Sequence, residues 1–86
     1  GLAPDGTPKS WVLQVASFRD KDHAESLRAK LTEQGYAAYA REVAFKNGTI
    51  HRVYVGPKLD KETLLRDKDA IFQKLGLQAL VLPFTP

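Results

Sequence analysis

One stretch, Trp11–Phe18 (WVLQVASF), limits what this chain can become. Aromatic and β-branched residues crowd it and no helical period fits, so it reads as a strand. Apolar residues on both of its faces place it between two other strands. Yet a glutamine sits in its middle. Successive strand side chains point to opposite faces. Trp11, Leu13 and Val15 therefore share one face, the natural core side. Val12, Gln14 and Ala16 share the other, which is small, semi-polar and open to a ligand.

The rest of the chain supplies partners for this strand. Residues 1–9, with two prolines and two glycines, read as the remnant of a linker, and residues 10–86 as one folded domain. Asp20 is placed to cap a helix, with Asp22 in its first turn. Ala24, Leu27 and Leu31 form that helix's apolar stripe, and Gly35 ends it. A second strand is predicted over residues 36–45, with Ala38 and Ala40 inward and Tyr39, Arg41 and Val43 outward. Asn47-Gly48 signals a hairpin. The third strand, residues 49–55, turns His51, Val53 and Val55 inward and Ile50, Arg52 and Tyr54 outward, and Gly56-Pro57 is expected to stop it. Asp60 caps a second helix over residues 61–75. Residues 78–84 form the last strand, with Ala79, Val81 and Pro83 on one face and Leu80, Leu82 and Phe84 on the other. The order β-α-β-β-α-β predicts an α+β fold: a four-stranded antiparallel sheet with two helices on one face, as in RNP and ferredoxin-like domains.

Composition narrows the function. The chain has 86 residues, no cysteine and a net charge of +3. It holds one modest core, no disulfide framework and no thiolate metal site. A mildly basic balance permits an anionic partner without demanding nucleic acid. No apolar run approaches the roughly 18 residues of a membrane span. The chain lacks an initial methionine and reads as a domain of a longer protein. His23 and His51 lack metal-ligand spacing, Ser17 and His51 make no recognisable nucleophile pair, and the acidic residues fall at helix starts or on helix faces. No catalytic activity, metal or cofactor is expected.

Three motifs now carry a resemblance. Gln14-Val15-Ala16-Ser17-Phe18 resembles the Q-V-G-S-F signature of the SPOR (sporulation-related) peptidoglycan-binding domain. Gly35-Tyr36 and Arg52-Val53-Tyr54-Val55-Gly56-Pro57 match its next landmarks at fitting spacings. The linker and first strand are similar to those of DedD-like cell-division proteins of the family. The resemblance implies a non-catalytic module that binds glycan strands lacking stem peptides. Such modules direct their owner to the division septum. It also implies a periplasmic domain tethered to the inner membrane through a segment upstream of this chain. The family's glutamine, serine and arginine fall on Gln14, Ser17 and Arg52, and a fourth-strand apolar contact falls near Val81. A third-strand tryptophan of some members is Ile50 here, and the signature glycine is Ala16.

Alternation alone gathers Gln14, Tyr39, Arg41, Ile50, Arg52, Tyr54 and Val81 on the bare face, with Ser17 at its rim. This mixture suits a sugar chain. Apolar and aromatic groups cover pyranose C–H faces, with Tyr39 or Tyr54 standing in for the absent tryptophan. Gln14 can donate to and accept from hydroxyl and N-acetyl groups. Arg41 or Arg52 can pair with the lactyl carboxylate that a muramic acid exposes once its peptide is gone. The blander readings are a solvated sheet face for Gln14, a turn cap for Ser17, surface charge for Arg41 and Arg52, and ordinary exposed residues for Ile50 and Val81. Trp11 and Tyr36 read as packing. Two rivals use the same face: a single-stranded RNA module of RRM type and a protein-docking module. The third strand lacks the glycine-aromatic pattern of an RRM, so no nucleic acid is expected. Nothing demands a dimer, and a monomer is expected.

Overall fold

Asparagine and glycine at the one tight hairpin, and an aspartate before each helix, divide the chain into six elements. In the computed structural model these are β1 (Trp11–Phe18), α1 (Lys21–Glu33), β2 (Ala38–Phe45), β3 (Gly48–Lys58), α2 (Lys61–Leu75) and β4 (Leu80–Pro83). The structure describes residues 1–85; Pro86, the last residue of the expected domain, lies outside the described residues. Asp20 accepts a bond from the Asp22 amide at 2.8 Å, and Asp60 accepts one from the Glu62 amide at 3.0 Å. Each carboxylate thus satisfies an orphan donor at a positive helix end. Gly35, at φ 96°, reverses the chain after α1, and the Tyr36 amide closes back on the Leu31 carbonyl.

The sheet has the order β2-β3-β1-β4, and every neighbouring pair is antiparallel. β1 is central, as its two apolar faces require. Leu13, Leu31, Val53, Val55, Leu64 and Ile71 are fully buried and come from β1, β3 and both helices. The helices therefore cover one sheet face together. The molecule measures 36 × 33 × 18 Å. Its thinnest dimension admits one sheet and one helix layer, which leaves the other sheet face uncovered.

Register departs from simple alternation in three places. Gln14 pairs with Tyr54 but Ala16 pairs with Val53, so β1 carries a bulge at Val15. Ala16 and Phe18 thereby turn to the helix side, and Ser17 joins Gln14 on the open side. Alternation had put Ala16 beside Gln14 and Ser17 only at the rim. Second, β3 does not stop at Gly56-Pro57. It continues to Lys58, which pairs with Trp11 after a shift of register. Third, β4 has the opposite phase to the one expected. Val81 lies across from Leu13 and packs against the core, whereas Leu80 lies across from Gln14. Val81 therefore does not belong to the open face. β4 is apolar on both sides, so only its pairing with β1 sets its phase.

Other boundaries shift less. β2 starts at Ala38, because Tyr36 is taken up in closing α1. Phe72, an apolar residue of α2, is 44% exposed. Residues 1–9, read as linker, fold into a small turn in which Leu2 bridges Pro8 and the Lys9 amide donates to the Gly1 carbonyl at 2.9 Å.

Candidate binding face

The open face is built in rows, because directly opposed residues on paired strands share a face. One row crosses all four strands: Leu80, Gln14, Tyr54, Tyr39. The next runs Ser17, Arg52, Arg41, and a third holds Ile50 and Val43. Val12 and Leu82 make a row at the other end. Seven of the eight expected site residues thus lie on one surface, and Val81 is the one that does not.

The bulge at Val15 has a direct chemical effect. It brings Ser17 round to Gln14, whose Nε2 donates to Ser17 Oγ at 3.3 Å. This bond orients the amide through its nitrogen, and the carbonyl oxygen is left as an acceptor for a ligand. Beside it, the Tyr54 and Tyr39 rings stack with centroids 5.1 Å apart and planes 19° from parallel. Tyr54, flanked by neighbours on both sides, is only 9% exposed. Burial pushes the Tyr39 hydroxyl above its ordinary pKa of 10.0, against the opposing charge of Arg41. It stays protonated at neutral pH and can donate as well as accept. The pair gives a rigid aromatic floor at the β2 side of the face.

Both arginines rest on rings. Arg41 Cζ lies 5.8 Å from the Tyr39 centroid, and Arg52 Cζ lies 5.5 Å from that of Phe45. Phe45 is half exposed and was missed in the sequence, although continuing the alternation Tyr39, Arg41, Val43 by one step reaches it. With Ile50, Arg19, Asn47 and Gly48 it lines a hollow of about 270 Å³ at the hairpin end of the face. Leu80, 58% exposed beside Gln14, was missed for want of the β4 phase. Trp11 is a core-side residue, with the Lys61 ammonium 4.6 Å from its ring centroid. His51 is buried on the helix side, 3.9 Å from Glu42. Among the described residues, no group of three or more His, Cys, Asp or Glu side chains is placed to hold a metal ion. Among the same residues, no helix is long and apolar enough to cross a membrane.

A two-layer α+β domain with one open, mixed aromatic and basic sheet face is an architecture for binding an extended ligand. The profile of the SPOR domain family matches residues 7–83, and the chain belongs to that family. It is 31% identical over 84 residues to the cell division protein DedD of Escherichia coli (strain K12), covering 98% of this chain and 37% of DedD. It therefore spans well under half the length of that relative. The crystal structure of the RlpA SPOR domain from Pseudomonas aeruginosa superposes with a TM-score of 0.77 at 28% identity, over 88% of this chain and 99% of that one. The solution structure of the peptidoglycan binding domain of the B. subtilis cell wall lytic enzyme CwlC shares the fold, with a TM-score of 0.68 at 20% identity, covering 98% of this chain and all of that one.

Proposed function

We propose that this domain binds peptidoglycan glycan strands that have lost their stem peptides, and that it does so without catalysing a reaction. The observation that carries the reading is the continuous row Leu80, Gln14, Tyr54, Tyr39 on the open face. It offers an apolar end, an oriented amide and a stacked aromatic floor across the whole sheet. A sugar chain needs this alternation of C–H contact and hydroxyl bonding. Membership in the SPOR family and the likeness to the CwlC domain support the same ligand class. The face is shallow, so affinity is modest.

The relation to a cell division protein supports a wider role. In this reading the domain sits in the periplasm, joined by an upstream segment to an inner-membrane protein. Amidases clear stem peptides from glycan at the division septum. Binding the cleared strands delivers that protein there.

The test is a pull-down on purified sacculi, with and without amidase treatment. Binding is expected to rise after amidase and to fall by roughly tenfold or more in Gln14→Ala/Arg52→Ala, each lost hydrogen-bonding partner being worth about 1 kcal/mol or more. Cooperative thermal unfolding of the double variant checks that it folds. No binding to either preparation overturns the reading and directs the search to RNA or a protein partner.

A further inference from the structure

Arg41 and Arg52 stand directly opposite one another on β2 and β3, on the open face. Like charges so placed repel. The two side chains lean opposite ways along the strands. Arg41 rests on Tyr39, toward the start of β2, and Arg52 rests on Phe45, at its end. No carboxylate answers either of them. Among the described residues neither arginine takes part in an ion pair. The other paired residues of the face are all uncharged, and Glu42 turns to the helix side against His51. Arg52 Nε is buried with no hydrogen-bond partner. An unmet buried donor of this kind calls for an explanation. Its burial puts it out of a ligand's reach, and the terminal nitrogens of Arg52 are the donors a ligand can meet.

We infer that Arg41 and Arg52 form a two-arginine clamp for a carboxylate on the glycan, the free lactyl group of a muramic acid. Arg41 sets the preference for strands whose lactyl group is not amidated. The inference rests on the glycan reading above. A planar carboxylate that draws the two side chains toward each other meets Arg52 end-on, through its two terminal nitrogens, as a bidentate pair. Arg41 supplies the second positive charge, and the anion removes the repulsion between them. A stem peptide turns the carboxylate into a neutral amide. The amide loses one acceptor oxygen and presents an N–H to groups that only donate. Peptide-bearing strands are then refused by charge as well as by bulk.

The test compares two ligands: denuded glycan strands, and the same strands with their lactyl carboxylates converted to methylamides. The chain, Arg41→Gln and Arg41→Lys are each titrated with both by calorimetry. The unaltered chain is expected to prefer the free acid by about tenfold or more, as a hydrogen bond to a charged group implies. In Arg41→Gln that ratio falls toward one. Arg41→Lys keeps part of it, because it retains charge without the planar fork. Arg41 is exposed, so its variants are expected to keep the same unfolding midpoint. Equal affinity of the unaltered chain for the two ligands overturns the clamp while the glycan reading stands. So does a ratio that survives Arg41→Gln. Failure to bind either ligand overturns the glycan reading and the clamp with it.

Discussion

Leu80 and Val81 are adjacent residues with opposite duties. Val81 faces Leu13 across β1 and packs into the core, while Leu80 faces Gln14 and is mostly exposed. Truncating Val81 to alanine is expected to destabilise the fold by about 1 kcal/mol, through lost transfer energy and an unfilled space. Truncating Leu80 is expected to change stability by under about 0.5 kcal/mol, as surface substitutions do. Glycan binding should show the reverse order, with Leu80→Ala weakened and Val81→Ala nearly intact at temperatures where it is folded. Denaturant unfolding and sacculus pull-downs on the two variants measure both. Equal effects on both properties would mean that β4 is paired out of the register described. The same residues show where sequence reading runs out. Alternation placed Tyr39, Arg41, Ile50, Arg52 and Tyr54 correctly, because β2 and β3 pair without interruption through the hairpin. It misplaced Val81, because a strand of four apolar or neutral residues carries no polar side to set its phase.

At the scale of elements, most of the fold was legible because its punctuation is local. A capping aspartate, an Asn-Gly turn or a glycine after a helix acts within a few residues and needs no knowledge of the rest. The β1 bulge is different. The signature stretch Gln14–Phe18 holds one residue more than its partner segment in β3, and this excess shows only when the two strands are laid side by side. The cap of α2 supports a direct prediction. Asp60 accepts bonds from the Glu62 amide and from the Thr63 hydroxyl at 2.7 Å, and these hold its carboxyl below the ordinary value of 3.8. A carboxyl with a lowered native pKa stabilises the fold at pH values above its unfolded pKa. That contribution fades as pH falls through the lowered native value. Asp60→Ala is therefore expected to melt at a lower temperature than the parent at pH 7. The gap should narrow at pH values below about 4, where the unfolded chain takes up a proton that the folded cap still resists, and close as pH falls through the lowered native value. Thermal unfolding of both chains between pH 7 and pH 2 tests this. A gap that stays constant across the range would mean that the cap acts without its charge.

The whole molecule divides its work between two sides of one sheet. The helix side holds the buried aliphatic residues, and the open side holds the arginines and tyrosines. Val12 and Tyr54 are points of overlap, since they are 4% and 9% exposed yet belong to the open face. The charges are divided as well. The chain carries a net +3, and the open face bears two arginines without an acid among the described residues. Ion pairs such as Glu25 with Arg28 lie on exposed helix surface instead. Salt should therefore act on binding and on stability unequally. Screening shortens the reach of a charge from about 10 Å at 0.1 M ionic strength to about 3 Å at 1 M. A carboxylate approaching two unpaired guanidiniums loses most of its long-range attraction over that range. The apolar core loses nothing, and exposed ion pairs contribute little at any salt concentration. Affinity for denuded glycan is expected to fall several-fold between about 0.05 M and 0.5 M sodium chloride, a range over which the screening length drops roughly threefold. The unfolding midpoint should move by only a few degrees. Calorimetric titration and thermal unfolding across the same salt series give the two curves. If affinity holds flat, the arginines serve the face as packing on Tyr39 and Phe45, and the glycan is held by the row through Gln14 and the tyrosines alone. If both curves fall together, the open face is part of what keeps the sheet folded, and stability and binding share residues beyond Val12 and Tyr54.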